Sequence, residues 1–247
     1  MTKYLDKVNF NIVLGIILLL NYLWVTSGEI HMLPTFSQII SGFSELINEK
    51  RLLYHFFKSF SLFLKAIFFS LIVSLSLVYI SPFKVTKPLS TFLSKCRYLP
   101  IVGFTYYASL VFESARHVQE FMLTFFISTF FITGLLSMVA DISDEEWNHA
   151  KTLGLSKWEQ IRELIIYGRI DYVIDILRQN TAISWMMIAT VEMILFGNGG
   201  LGTLLKTAYK WGGQGKIIAL YITILLIGIS VDYTLNYARK LFFRYTF

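Results

Sequence analysis

The 247-residue chain is 55% apolar and 17% aromatic, with 15% charged residues and four prolines, a balance that excludes an ordinary soluble domain. Its net charge of +6 sits in short basic patches beside apolar runs, which argues against a nucleic-acid partner and for residues that orient a chain in a membrane. The one cysteine, Cys96, excludes an internal disulfide.

Several apolar runs approach the roughly 18–20 residues that cross a bilayer core as helix. They predict an all-α integral membrane protein with about six spans, near residues 10–26, 59–80, 98–113, 120–140, 181–197 and 216–236. The first follows Lys3 and Lys7 with no small-x-small cleavage site after it, and reads as an uncleaved span. The third and fifth are short, suited to tilting or to shelter by neighbours. Between the first two spans, Phe36, Ile39, Ile40, Phe43, Leu46 and Ile47 recur at helical spacing after Leu33-Pro34-Thr35. That pattern predicts an amphipathic helix lying on the outer membrane surface.

Orientation follows from Lys and Arg. With the N-terminus inside, fourteen fall in cytoplasmic segments and seven outside, which predicts N-in/C-in. The chain has no low-complexity tract, no clear repeat and no room for a soluble domain, so residues 1–247 read as one transmembrane domain.

The most informative stretch is the polar island 141–180, predicted to face the cytoplasm. Ser143 with Glu146, and Ser156 with Glu159, have the S-x-x-E spacing of a capping box. Gly154 lies where the first helix should stop, since glycine accepts a left-handed cap. Helix, glycine stop, helix describes a rigid docking element facing a partner rather than a plain linker.

Single residues carry less. Glu192 is a carboxylate inside an apolar run: either it faces a pathway through the bundle, or it is bonded to a neighbouring helix or a Ser/Thr hydroxyl. Lys65 lies two turns into the second span, where it snorkels outward or meets an anionic substrate. Gly197-Asn198-Gly199-Gly200-Leu201-Gly202 spells G-x-G-x-x-G, yet an apolar helix precedes it and no acid follows before Asp232. Dinucleotide binding is therefore rejected in favour of a tight reversal with close backbone approach at an outer mouth. Tyr106 and Tyr107 read as packing or interface anchors. No Walker A sequence occurs, and the four histidines lack metal-ligand spacing. Neither cofactor, metal nor catalysis by this chain alone is expected.

Asn148-His149-Ala150-Lys151-Thr152-Leu153-Gly154-Leu155-Ser156 resembles the EAA loop of permease subunits of binding-protein-dependent ABC importers, nearest the nitrate/sulfonate/taurine-type branch. Further points of likeness run along the chain: Leu33-Pro34-Thr35, Pro88 and Pro100, Trp185 and Glu192 in the fifth span, Gly200-Leu201-Gly202, and Asp232 before Arg239-Lys240. Asn148 and His149 replace the first two residues of the EAA triplet, so Ala150 and Gly154 are the loop identities that remain.

The resemblance implies a multi-pass protein of a prokaryotic inner membrane. It pairs with a second permease subunit, as homo- or heterodimer, and docks on cytoplasmic ABC ATPase subunits. An extracytoplasmic binding protein delivers a small anionic or polar solute. It also implies that Ala150, Lys151, Leu153, Gly154, Leu155 and Trp158 meet the ATPase, and that Glu192, Trp185, Lys65, Gly200 and Gly202 border the pathway. The rival classes are a stand-alone secondary carrier and a membrane scaffold that docks a cytoplasmic partner. A carrier would usually show internal repeats or several buried charges, which the sequence lacks.

Overall fold

Small polar residues spaced along one face of the second apolar run set the packing of the molecule. The computed structural model describes residues 15–16, 18–19, 34–48, 51–83, 86–211 and 213–242. Most of the expected first span, together with Leu33 and the residues beyond 242, lies outside the described residues. The described chain is helical, with no strand. It comprises α1 (Phe36–Asn48), α2 (Arg51–Tyr79), α3 (Lys87–Lys95), α4 (Ile101–Val111), α5 (Ala115–Ala140), α6 (Asp144–Thr152), α7 (Lys157–Ile161), α8 (Ile170–Ile194), α9 (Leu201–Lys210) and α10 (Gln214–Phe242).

Helix α5 is the central element, and Met122, Leu123, Phe126, Phe131 and Leu135 along it are buried. Helix α2 packs beside it through Ala66, Ser70 and Ser74. The two serine hydroxyls donate across the interface, Ser70 to the carbonyl of Thr124 at 3.0 Å and Ser74 to that of Ser128 at 3.2 Å. Small hydroxylated residues are what close helix packing in an apolar solvent favours. Both bonds join residues 54 apart, so α2 and α5 run parallel and in step.

Parallel neighbours require the chain between them to return to its starting end; α3 begins that return, Ser94 near its end meeting Thr133 of α5, and α4 completes it in 11 residues, about 16 Å of helix. Pro100 opens it and Phe112 leaves it in extended conformation. Helix α8 is antiparallel to α5: Gln119 meets Leu195 near one end, and Gly134 lies against Ile176 near the other. Helix α10 is in turn antiparallel to α8, through Arg178–Asp232 and Trp185–Ile224. One end of the bundle therefore gathers the 80–100 turn, α6, α7 and the end of α10. The other gathers α1, the 112–114 turn, the 195–200 loop and α9.

Among the described residues, three helices, over Leu52–Tyr79, Ala115–Ala140 and Gln214–Tyr237, are long and apolar enough to cross a membrane. The helices run past the bounds of the expected spans: α2 starts at Arg51, where the span is expected from near 59, and α8 starts at Ile170, inside the stretch read as island. Its first turns carry Asp171, Asp175 and Arg178, which a hydropathy reading takes for loop. Two of the three are matched by α10, Arg239 meeting Asp175 at 2.8 Å and Arg178 meeting Asp232 at 3.0 Å.

Helix α1 is amphipathic as expected, but its inner face packs on protein. Phe43 and Leu46 join Leu205, Ala208, Ala219 and Leu220. Gly42 and Gly215 let the two backbones touch; a Cβ on Gly42 would stand 2.7 Å from the Gly215 carbonyl. Thr35 and Gln38 cap α1 reciprocally, a T-x-x-Q box that the sequence reading passed over.

Candidate functional site

Two places stand out, one at each end of the bundle. At the end holding α9, the first N–H groups of that helix point inward with no intrahelical partner, as at any helix start. Side chains from two other helices meet three in succession. The Gly200 N–H donates to His55 Nδ1 at 2.9 Å, the Leu201 N–H to Ser59 Oγ at 2.8 Å, and the Gly202 N–H to Glu192 Oε2 at 3.0 Å. Ser59 Oγ in turn lies 2.8 and 2.7 Å from the two Glu192 oxygens. Glu192 is fully buried. Its charge faces the positive end of a helix dipole, which favours an anion there.

Glycine is required at this start. Gly200 has φ of +122°, and a Cβ on it would fall 2.2 Å from the Glu192 carboxyl carbon. A Cβ on Gly202 would meet the Ala189 carbonyl oxygen at the same 2.2 Å. The G-x-G-x-x-G stretch thus cradles a carboxylate of its own chain.

Trp185 borders the same tight space as Glu192 and Ser59. Its indole N–H donates to the Ile224 carbonyl at 2.9 Å, its ring meets Phe63 edge-on at 5.4 Å, and Gly228 makes room for it. Lys65 stands apart: it pairs with Glu120 at 3.0 Å on the rim, and the Arg116 Nε lies 3.5 Å from the same oxygen.

At the opposite end, the island has the stop that its glycine implies. Gly154 takes φ of +73°, its N–H donates to the Lys151 carbonyl at 2.9 Å, and the Leu155 N–H reaches back to Ala150 at 3.3 Å. These are the two bonds of a Schellman motif. Ser156 and Glu159 form the full capping box ahead of α7. Ser143 caps α6, but Glu146 does not reciprocate; both its oxygens take Arg169 Nη2 at 3.0 Å. The reason is competition, since a guanidinium is a stronger partner for a carboxylate than a neutral amide.

Beyond Arg162–Tyr167, a π-helical turn, the chain enters α8. Ala150 is buried, Lys151 donates to Asn148 Oδ1 at 3.1 Å, and Leu155 is half-buried with its carbonyl accepting from Gln160. Leu153 and Trp158 are 64% and 52% exposed, two large apolar side chains on either side of a capped turn.

The Glu159 carboxyl is held below its ordinary range, chiefly by the Ser156 side-chain hydrogen bond and then by the Ser156 backbone. A lowered folded-state value means that its contribution is complete above the ordinary glutamate range and lost as pH falls through the lowered value. The protection factor of the Ser156 amide, which donates to the Glu159 carboxylate, is expected to fall on acidification below that range in the parent protein, once the intrinsic pH dependence of amide exchange is divided out. In Glu159→Gln that factor should stay level over the same range, and an acid-dependent loss persisting there would show that another group carries it.

Residues 37–242 match the family described as "Binding-protein-dependent transport system inner membrane component". The chain belongs to this family. Members of this family are inner-membrane permease components of binding-protein-dependent transport systems, a subunit kind that is generally not itself catalytic. It is 28% identical over 165 residues to the nitrate import permease protein NrtB of Synechococcus elongatus, covering 63% of this chain and 56% of that one. It is 30% identical over 120 residues to the putative ABC transporter permease protein MJ0413 of Methanocaldococcus jannaschii, covering 48% and 45%. It is 27% identical over 94 residues to the bicarbonate transport system permease protein CmpB of Synechococcus elongatus, covering 38% and 34%. The matched stretch thus spans from about a third to just over half of these relatives. A crystal structure of an amino acid ABC transporter with histidines shares the fold, at a TM-score of 0.65 and 17% identity over 81% of this chain and 96% of that one.

In this permease the structure brings Glu192, Gly200, Gly202 and Trp185 together and leaves Lys65 outside the group. Sequence reasoning missed His55 and Ser59, since nothing marks a lone histidine or serine as the partner of a loop more than 130 residues away.

Proposed function

We propose that the chain is the membrane-spanning subunit of an ATP-driven importer for a small oxyanion. It has six spans, N-in/C-in, in a prokaryotic inner membrane. Residues 1–247 act as one domain beside a second permease subunit, an extracytoplasmic binding protein delivers the solute, and the 141–180 loop docks on a cytoplasmic ABC ATPase. The observation carrying this reading is the doubly capped turn with Leu153 and Trp158 outward, in a chain of the importer family. Such a turn supplies rigid apolar anchors for a groove on a partner. The names of NrtB and CmpB favour nitrate or hydrogencarbonate as the solute class.

In the same reading, Glu192, Gly200 and Gly202 hold the outer loop closed and do not touch solute, because every oxygen of Glu192 is engaged within the chain. Trp185 braces the last span. The test is co-purification with an ATPase carrying a phosphate loop, followed by ATP-dependent uptake of both anions in proteoliposomes. Uptake that persists without nucleotide would favour a secondary carrier instead.

A further inference from the structure

At the outer end of α5, two side chains one turn apart are left with unmet hydrogen-bonding atoms of opposite kind. Gln119 is fully buried, and its amide nitrogen donates to the Leu195 carbonyl at 3.0 Å. That bond fixes which end of the amide is which, so the atom left over is an oxygen, an acceptor. It has no partner among the described residues. Arg116 places Nη2 3.4 Å from the Lys58 carbonyl and Nε 3.5 Å from Glu120, while its buried Nη1 donor has no partner among the described residues.

A buried polar atom left unmet is costly, and each one in a folded protein asks for an explanation. Positions three apart lie on one face of a helix, so both atoms belong to the same side of α5. Asn198 Nδ2 and Thr203 Oγ1, at the same end of the bundle, are likewise buried without partners among the described residues.

We infer that Arg116 and Gln119 form a recognition point for a small oxyanion carrying its own O–H, such as hydrogencarbonate, in preference to one that only accepts, such as nitrate. The inference rests on the anion-import reading above. The Arg116 donor takes an anionic oxygen of the ligand, and the Gln119 oxygen takes the ligand's hydroxyl hydrogen. Nitrate has no hydrogen to give and leaves Gln119 unmet, and discrimination of this kind is strong when a site is built around a hydroxyl. The charged groups around it include Lys58, Lys65 and Arg116 on one side and Glu113, Glu120 and Glu192 on the other. The Arg116 guanidinium supplies the positive charge that the ligand meets.

The experiment measures ATP-dependent uptake of radiolabelled hydrogencarbonate and nitrate by the intact transporter in proteoliposomes, in parent, Gln119→Leu and Gln119→Met forms. Either variant is expected to lower hydrogencarbonate uptake about tenfold or more, the worth of a hydrogen bond to a charged group. Nitrate uptake should stay within about twofold of whatever the parent shows, so the ratio of the two anions corrects for any loss of folded protein. Equal loss of both anions, or no change in either, overturns the inference and leaves Gln119 a structural residue that holds buried water. A parent transporter that moves nitrate but not hydrogencarbonate also overturns it, with the importer reading intact. A parent that moves neither anion under ATP removes the importer reading and this one together.

Discussion

Gly200→Ala is expected to cost more than about 3 kcal/mol and to remove most folded transporter from the membrane. Two effects add. The backbone there, at φ +122° and ψ 164°, is open almost only to glycine, and other residues pay about 1–3 kcal/mol for such strain. The new methyl would also land 2.2 Å from the Glu192 carboxyl carbon, so the carboxylate must swing off the Ser59 hydroxyl and the Gly202 N–H, and buried donors left unmet cost about 1–3 kcal/mol more. The readout is the unfolding midpoint of purified protein in detergent, together with yield. Adding Glu192→Ala to Gly200→Ala removes the clash but not the strain, so the double variant should be less damaged than the sum of the singles. Simple additivity, or a Gly200→Ala protein with the parent midpoint, would mean that the carboxylate does not hold the start of α9.

Gly154→Leu is expected to behave in the opposite manner, sparing the fold and damaging the work. A Cβ on Gly154 meets nothing within 4 Å in this chain, so the cost to the chain itself is backbone strain alone, about 1–2 kcal/mol in the left-handed region. The protein should reach the membrane in parent amounts. What changes is the surface between Leu153 and Trp158, where a bulky side chain holds a partner away. ATP hydrolysis by the assembled transporter should continue while uptake falls at least tenfold. Asparagine tolerates the left-handed cap better than leucine, so Gly154→Asn separates strain from bulk and should retain more uptake. Full substrate-stimulated uptake by Gly154→Leu would end the proposal that this turn transmits the ATPase stroke.

The parts of this molecule that could be read from sequence are those whose causes lie within a few residues. The stop at Gly154 and the box at Ser156 are of this kind, because capping bonds span three to five positions. The apolar stretches of α2, α5 and α10 are legible for the same reason, since composition alone fixes them. What escaped has partners far off in the chain. Glu146 abandons Ser143 for Arg169, 23 residues on, and no local pattern announces that choice. The first turns of α8 look like loop until Asp232 and Arg239 of α10 are brought opposite them. Glu192 could be marked as notable but not understood, since its role depends on N–H groups of a helix that begins after a glycine loop. The seat of α1 against α10 rests on two glycines, Gly42 and Gly215, that are silent in any hydropathy reading.

The two ion pairs between α8 and α10 are arranged with opposite polarity. On α8 the acid, Asp175, comes before the base, Arg178; on α10 the acid, Asp232, also comes before the base, Arg239, and the helices run in opposite directions. Sliding one helix along the other would carry Arg178 towards Arg239, or Asp175 towards Asp232, and like charges so placed repel, by about 1 kcal/mol or less for pairs this exposed to solvent. The pattern works as a key that favours one seating depth: α10 can tilt or swing against its neighbour more readily than it can ratchet lengthwise. A push that α8 receives from the end holding α6 and α7 is therefore shared with α10 through both pairs.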